Sequence, residues 1–228
     1  MKRSEINDIL RAGDEFIRSF NFLLPPFAGW TPDDMEARRP EIGEIIGSNL
    51  GWDITDFGSG AFKERGLFLF TLRNGREEDL RRGSGMCYAE KIMVVRQDQV
   101  TPMHRHVVKA EDIINRGGAT LAVKLYASND AGEIDQDHDV TVASDGILRE
   151  LDAGSILKIA PGESVTLLPG IWHAFWAEGG DALVGEVSTV NNDLTDNVFA
   201  EAIGRFPEIE EDEAPWRLMV SDYGKWFA

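Results

Sequence analysis

Apolar positions follow a helical spacing at the start of the chain and a strand-like spacing after residue 60. Ile6, Ile9, Leu10, Phe16, Ile17, Phe20 and Leu24 fall on one face of an amphipathic helix. Ser4 stands where an N-cap would, and Pro25-Pro26 stops the pattern, so a helix of about five turns is predicted. Thr31-Pro32-Asp33-Asp34 offers a cap, a proline at the first helical position and first-turn acids. A second helix is therefore expected before the glycine-punctuated stretch from Gly43 to Gly60.

Beyond Gly60 the period shortens. Segments near 66–72, 86–96, 119–127, 138–143, 146–151, 155–160, 164–168, 173–177 and 182–190 are rich in Val, Ile, Leu, Thr and Phe. Asn74-Gly75 and Asp145-Gly146 are hairpin signals, and Pro161-Gly162 and Pro169-Gly170 mark further turns. Many short strands with frequent turns predict a mainly β protein, a sandwich or barrel, with the N-terminal helices packed on its outside. The expected organisation is a single domain over 1–228: helical padding over 1–60, a β-barrel core over 61–190 and a C-terminal segment over 191–228.

Composition narrows the partners. The chain has 228 residues, 43% hydrophobic and 28% charged, the profile of a soluble globular protein. Its 23 Lys and Arg against 40 Asp and Glu leave a net charge of −17, a field that repels polyanions, so neither nucleic acid nor an anionic membrane is an expected partner. The acidic run Glu208, Glu210, Glu211, Asp212 and Glu213 reads as a solvated linker or exposed turn. Cys87 is the single cysteine, which rules out an intrachain disulfide and a cysteine zinc cluster. The N-terminus lacks the apolar run of a signal peptide, and no stretch reaches the ~18 apolar residues of a membrane span, so a cytoplasmic location is expected.

The chemistry is concentrated in the histidines. Of 4 in the chain, His104 and His106 stand two apart in Thr-Pro-Met-His-Arg-His, a spacing that in a strand points both imidazoles to one face. Glu111 and Gly118 follow as His-x-His-x4-Glu-x6-Gly, and His173 lies just past the Pro169-Gly170 turn, where a strand start can aim it back across the barrel. Three imidazoles and one carboxylate suit a borderline divalent ion: manganese, iron, cobalt, nickel or zinc. Glu111 is out of parity with His104 and His106, so a turn or bulge is expected between Val107 and Ala110. Lys109 shares the inward face of Glu111 if the strand resumes by then. His138, among Asp135, Asp137 and Asp139, reads as a surface residue.

The two histidine stretches resemble the two cupin motifs, with Pro169 and Gly170 adjacent where that pattern usually separates them and Ala177 where an Asn is common. The run Gly185 to Asn197, the Thr101 to Ile113 core and the Trp-Asp-Ile-Thr-Asp-Phe-Gly stretch at Trp52 resemble, more narrowly, cupin-type D-lyxose isomerases. The resemblance implies a jelly-roll-like β-barrel and a homodimer. It also implies a metal-dependent aldose–ketose isomerase acting on a small neutral sugar, interconverting D-lyxose and D-xylulose, and D-mannose and D-fructose. Manganese is the first choice of ion.

Such a reaction needs a base to move a proton between C2 and C1, for which Glu186 is the candidate, with Lys109 to stabilise oxyanion charge or orient the sugar. Phe175, on the His173 face by strand alternation, is the candidate pocket aromatic, while Trp172 and Trp176 read as core. Asp193, Asp196 and Arg205 are further polar candidates, with loop capping as the competing role of the Asp residues. Alternative readings are an isomerase of a phosphorylated sugar using an Arg105–Lys109 patch, an iron cupin dioxygenase, and a sugar-binding cupin without catalysis.

Overall fold

Arg3–Ser19 forms α1 in the computed structural model, which describes residues 1–192, 195–204 and 207–227. Its buried positions Ile6, Leu10, Gly13 and Ile17 lie along one stripe, as the spacing predicts. The helix stops short of the prolines, because Asn21 turns left-handed (φ 57°) and donates its N–H to the Arg18 carbonyl at 2.9 Å. Ser4 is not the cap. It lies inside the first turn, and its N–H and Oγ donate to the Asp212 carboxylate at 2.9 and 2.7 Å. Thr31 does cap α2 (Pro32–Ala37), in a capping box with Asp34. A one-turn helix, α3 (Gly43–Gly47), precedes the sheet.

Eleven antiparallel strands follow among the described residues: β1 (Gly51–Thr55), β2 (Leu67–Asn74), β3 (Tyr88–Val95), β4 (Thr101–His106), β5 (Glu111–Tyr126), β6 (Val140–Ser144), β7 (Ile147–Leu151), β8 (Ile156–Ile159), β9 (Ser164–Leu167), β10 (Trp172–Thr189) and β11 (Asn197–Phe199). They pair in the order β1-β2-β3-β10-β5-β9-β6-β7, with β8 on β5 and with β4 between β10 and β11. β1 and β11 thus lie in the stretches expected to pad and to follow the barrel, and both hydrogen-bond into the sheet.

Each of the two longest strands joins segments expected to be separate or left unassigned. β5 and β10 pair along most of their length, and their register shifts twice, between the pairs Glu178–Thr120 and Ala182–Gly118 and again between Leu183–Gly117 and Val184–Asn115. Gly118 is left-handed (φ 88°), and a Cβ there would meet the Asp181 carbonyl oxygen at 2.4 Å, so this bend requires a residue without a side chain. Beyond it, β10 exchanges neighbours: its first half pairs with β4, its second with β3.

Asp145-Gly146 is the expected hairpin turn, with φ of 50° and 80°. Asn74-Gly75 is not. Neither residue has positive φ, and the chain leaves β2 for a further helix, α4 (Glu77–Arg82), before returning to β3. Three acids in the first turn, Arg81 and Arg82 in the last, and Gly83 as left-handed C-cap form that helix.

Strands β2 and β3 are buried on both faces. Leu69, Met93 and Val95 face the barrel interior with Ile113, Val123, Val165, Phe175 and Val184. Phe68, Phe70, Ile92 and Val94 face the other way, under Ile6, Leu10 and Ile17 of α1. This explains the near-continuous apolar runs in the sequence and puts Lys91 on the interior face.

The acids of the 208–213 run are exposed, as expected, but the segment is tied down and is not a free linker. Glu211 and Asp222 clamp the buried Arg3 guanidinium at 2.8 and 2.7 Å, and the Glu213 carboxylate accepts from Asn7 at 2.5 Å. The run fastens the N-terminal helix to the C-terminal segment. No described helix is long and apolar enough to cross a membrane.

Candidate active site

β4 carries His104 and His106 to one face, and β10 begins at Trp172, so that His173 stands directly opposite His104 across the ladder. His173 therefore comes from the neighbouring strand instead of reaching across the barrel. The three ring centroids lie 4.1 to 5.5 Å apart, and one nitrogen from each ring falls within 4.8 Å of the others.

The chain breaks between β4 and β5 at residues 107–110, as the parity of Glu111 requires, and Glu111 enters the same pocket at the first position of β5. Its Oε1 lies 3.2 Å from Nε2 of both His106 and His173. These three atoms are buried without a hydrogen-bond partner. Such atoms cost about 1–3 kcal/mol each when left unsatisfied. A ring of orphaned acceptors is what a cation would satisfy, so the four residues fit a divalent ion.

Two of the imidazoles are oriented by a carbonyl two residues earlier in the chain: His104 Nδ1 faces the Pro102 carbonyl at 2.8 Å and His173 Nδ1 the Ile171 carbonyl at 3.1 Å. That leaves their Nε2 atoms for the ion. Burial drives His104 well below its usual pKa, and the neighbouring His173 and His106 add to the shift. Burial lowers His106 as well. For Glu111 burial acts upward, but the Lys109 ammonium and then His106 outweigh it and hold the carboxyl well below its usual range. Neutral imidazoles beside an ionised carboxylate are the protonation states a metal requires.

A second constellation adjoins the first. Lys109 Nζ bridges Glu111 Oε2 at 2.7 Å and Glu186 Oε1 at 3.0 Å, while Lys91 Nζ lies 3.3 Å from the same Oε1 and 3.5 Å from Oε2. Ser188 Oγ donates to Glu186 at 3.1 Å. All five side chains are buried, and the pocket that Lys91, Lys109, Glu111 and Glu186 share with His104 and His106 is walled by Phe57, Leu69, Met93, Phe175 and Phe199.

Lys109 and Glu186, taken from the sequence as catalytic candidates, are thus brought together with the four metal candidates, and Phe175 lines the same pocket. Asp196 lies outside the wall, under the 107–109 turn. Arg105 points away: its Nε donates to the Gly132 carbonyl at 2.8 Å and its guanidinium covers Trp172, so the Arg105–Lys109 patch does not form. Asp193 and Arg205 lie outside the described residues. His138 is on the surface, bonded to Asp135.

Lys91, Phe57, Phe199, Thr101 and Asn197 line the pocket without having been singled out. Lys91 carries no local signal in the sequence: it is placed by its strand running antiparallel to the one carrying Glu186, with the two residues as register partners.

A family model described as D-lyxose isomerase matches residues 1–223 of the chain. The chain belongs to the D-lyxose isomerase family. It is 47% identical over 226 residues to a D-lyxose/D-mannose isomerase of Escherichia coli O157:H7, covering 98% of both chains. It is 46% identical to the D-lyxose/D-mannose isomerase of Serratia proteamaculans over the full length of both. Among solved structures, an L-ribose isomerase of Cellulomonas parahominis with L-ribose superposes with a TM-score of 0.60 at 16% identity, over 92% of this chain and 98% of that one. At that identity the likeness speaks for the fold, a cupin-type barrel shared with other sugar isomerases. In this D-lyxose isomerase family member, a site able to hold a cation and a buried carboxylate beside two ammonium groups therefore sit within one pocket.

Proposed function

We propose that the chain is a cytoplasmic aldose–ketose isomerase that interconverts D-lyxose with D-xylulose, and D-mannose with D-fructose, at one divalent ion, with manganese the first assignment. The observation that carries this reading is Glu186, buried beside Lys91 and Lys109 in the pocket lined by His104, His106 and Glu111, with His173 Nε2 3.2 Å from Glu111 Oε1 behind them. An ion held by those three imidazoles and Glu111 supplies Lewis acidity to neighbouring sugar oxygens.

The residues of the chain account for the proton movements. Glu186 as a carboxylate takes the proton from C2 of the open-chain aldose, which leaves negative charge on O1. The Lys91 and Lys109 ammonium groups compensate that charge in a pocket largely withdrawn from water. Glu186 then returns its proton to C1 while O1 gains a proton and O2 gives one up, so aldose becomes ketose with no net change in protons or electrons. Phe175 offers an apolar face to the C–H side of the sugar. A homodimer is part of the reading, for which light scattering should give twice the 25.3 kDa chain mass.

The test is conversion of D-lyxose to D-xylulose by stripped and reloaded protein. Removal of metal should abolish turnover and Mn2+ should restore it. Fully loaded protein that turns over none of the common pentoses and hexoses would overturn the assignment.

A further inference from the structure

Asp196 lies just before β11, 8% exposed, and its carboxylate is aimed at the backbone of the break between β4 and β5. Oδ1 accepts the N–H groups of Val107 at 3.0 Å and Val108 at 2.7 Å, and Oδ2 accepts that of Lys109 at 2.9 Å. Three donors converging on one ionised acceptor form a strong, directional clamp. Without the carboxylate the Val108 and Lys109 donors of this stretch would be left to water, while the Val107 N–H would keep only the Asp196 main-chain carbonyl at 3.2 Å.

Two active-site side chains depend on that stretch. Lys109 precedes β5, so no ladder bond of that strand fixes its backbone, yet its ammonium must meet both Glu111 and Glu186. His106 ends β4, and its Nδ1 is buried without a hydrogen-bond partner, whereas the other two imidazoles each face a carbonyl two residues earlier in the chain. The carboxylate near it is again Asp196, with Oδ2 3.9 Å from His106 Nδ1. That is an electrostatic contact beyond direct hydrogen-bond range.

We propose that Asp196 is a positioning residue of this site: by gripping the 107–109 backbone and facing His106, it sets the ligand imidazole for the ion and the Lys109 ammonium for the sugar. The inference rests on the reading of these residues as a metal site. Loss of an outer-shell group that orients a ligating side chain typically costs 10–100-fold in metal affinity, and here Asp196 acts on His106 through the backbone it grips and through its charge at 3.9 Å.

The experiment compares wild type, Asp196→Asn and Asp196→Ala as full-length chains, with Mn2+ affinity measured by competition against a chelator. Asn presents one acceptor oxygen to three N–H groups and an amide to His106, so D196N should weaken Mn2+ binding by about 10-fold or more, and D196A at least as much. Under saturating Mn2+, kcat should fall further than KM rises, because Lys109 is misplaced while the pocket walls remain. Melting of the metal-free proteins separates a purely structural role. If both variants hold Mn2+ within about twofold of wild type, Asp196 is a turn cap and the proposal fails, whatever happens to the melting temperature. Wild type that binds Mn2+ but isomerises no sugar would sink the functional assignment alone, since the affinity comparison still decides the role of Asp196. Wild type that takes up no Mn2+ would overturn both.

Discussion

In the proposed reading Glu186 is the base and not a ligand of the ion, so its chemistry can be separated from that of the ion. Glu186→Gln keeps the volume and removes the base, and kcat is expected to fall by about 10²–10⁴-fold. Metal content by elemental analysis should stay at the wild-type level. His173→Ala should do the reverse in origin: it removes an imidazole that cannot be replaced locally, and the purified protein should lose bound metal and with it turnover. If the E186Q protein also arrives empty, Glu186 supports the ligands rather than the proton transfer. The contrast also shows what a sequence can reveal at this scale. His104, His106 and Glu111 are legible because their spacing is local and their chemistry distinctive. Lys91 is not, because its meaning comes from a cross-strand register with a residue 95 positions away. Asp196 is read as a capping Asp by residue type, but which backbone it caps depends on where β11 docks.

At the scale of elements, α1 sets two physical effects against each other at Gly13. In a helix interior Ala is favoured over Gly by roughly 0.5–1 kcal/mol. A Cβ at Gly13, however, would meet the Phe68 ring at 2.2 Å, and Phe68 is only 2% exposed, with little room to retreat. Overpacking of that kind costs about 1–3 kcal/mol, so packing should win and Gly13→Ala should lower the melting temperature. An increase would mean that α1 can lift off β2 freely. The stripe of α1 was readable from its periodicity, whereas the close approach at Gly13 was not, since it depends on which strand the helix covers. The Asn74-Gly75 pair failed for a related reason: a dipeptide able to make a hairpin turn was overridden by the capped helical sequence that follows it.

At the scale of the whole molecule, two electrostatic consequences can be measured. The first concerns the clasp between the chain ends. Hydrogen bonding from Arg3 lowers Glu211 from the usual 4.5 to about 2. A carboxyl depressed in the folded state stabilises it fully above its ordinary pKa, and that contribution disappears as pH falls through the folded value. Wild type should therefore be more stable than Glu211→Gln above pH 4.5, with the advantage shrinking toward pH 2, as followed by thermal melts across that window. An advantage that persists unchanged at the acid end would show that Glu211 acts through packing.

The second consequence follows from the net charge of −17 and discriminates between substrates. A neutral sugar feels no long-range force from that field, whereas a phosphorylated one is repelled until counterions shorten the screening length from about 30 Å at 10 mM salt to about 8 Å at 150 mM. The kcat/KM for D-lyxose should therefore change by less than about twofold over that range, while a sugar phosphate, if accepted at all, should react faster as salt is added. A salt response for D-lyxose as steep as that expected of an anion would instead point to screening within the pocket itself, where the Lys91–Glu186–Lys109 and Glu111 charges lie. Those groups are buried and closely paired, so salt should reach them poorly, and a flat profile is the outcome that both the surface charge and the pocket predict.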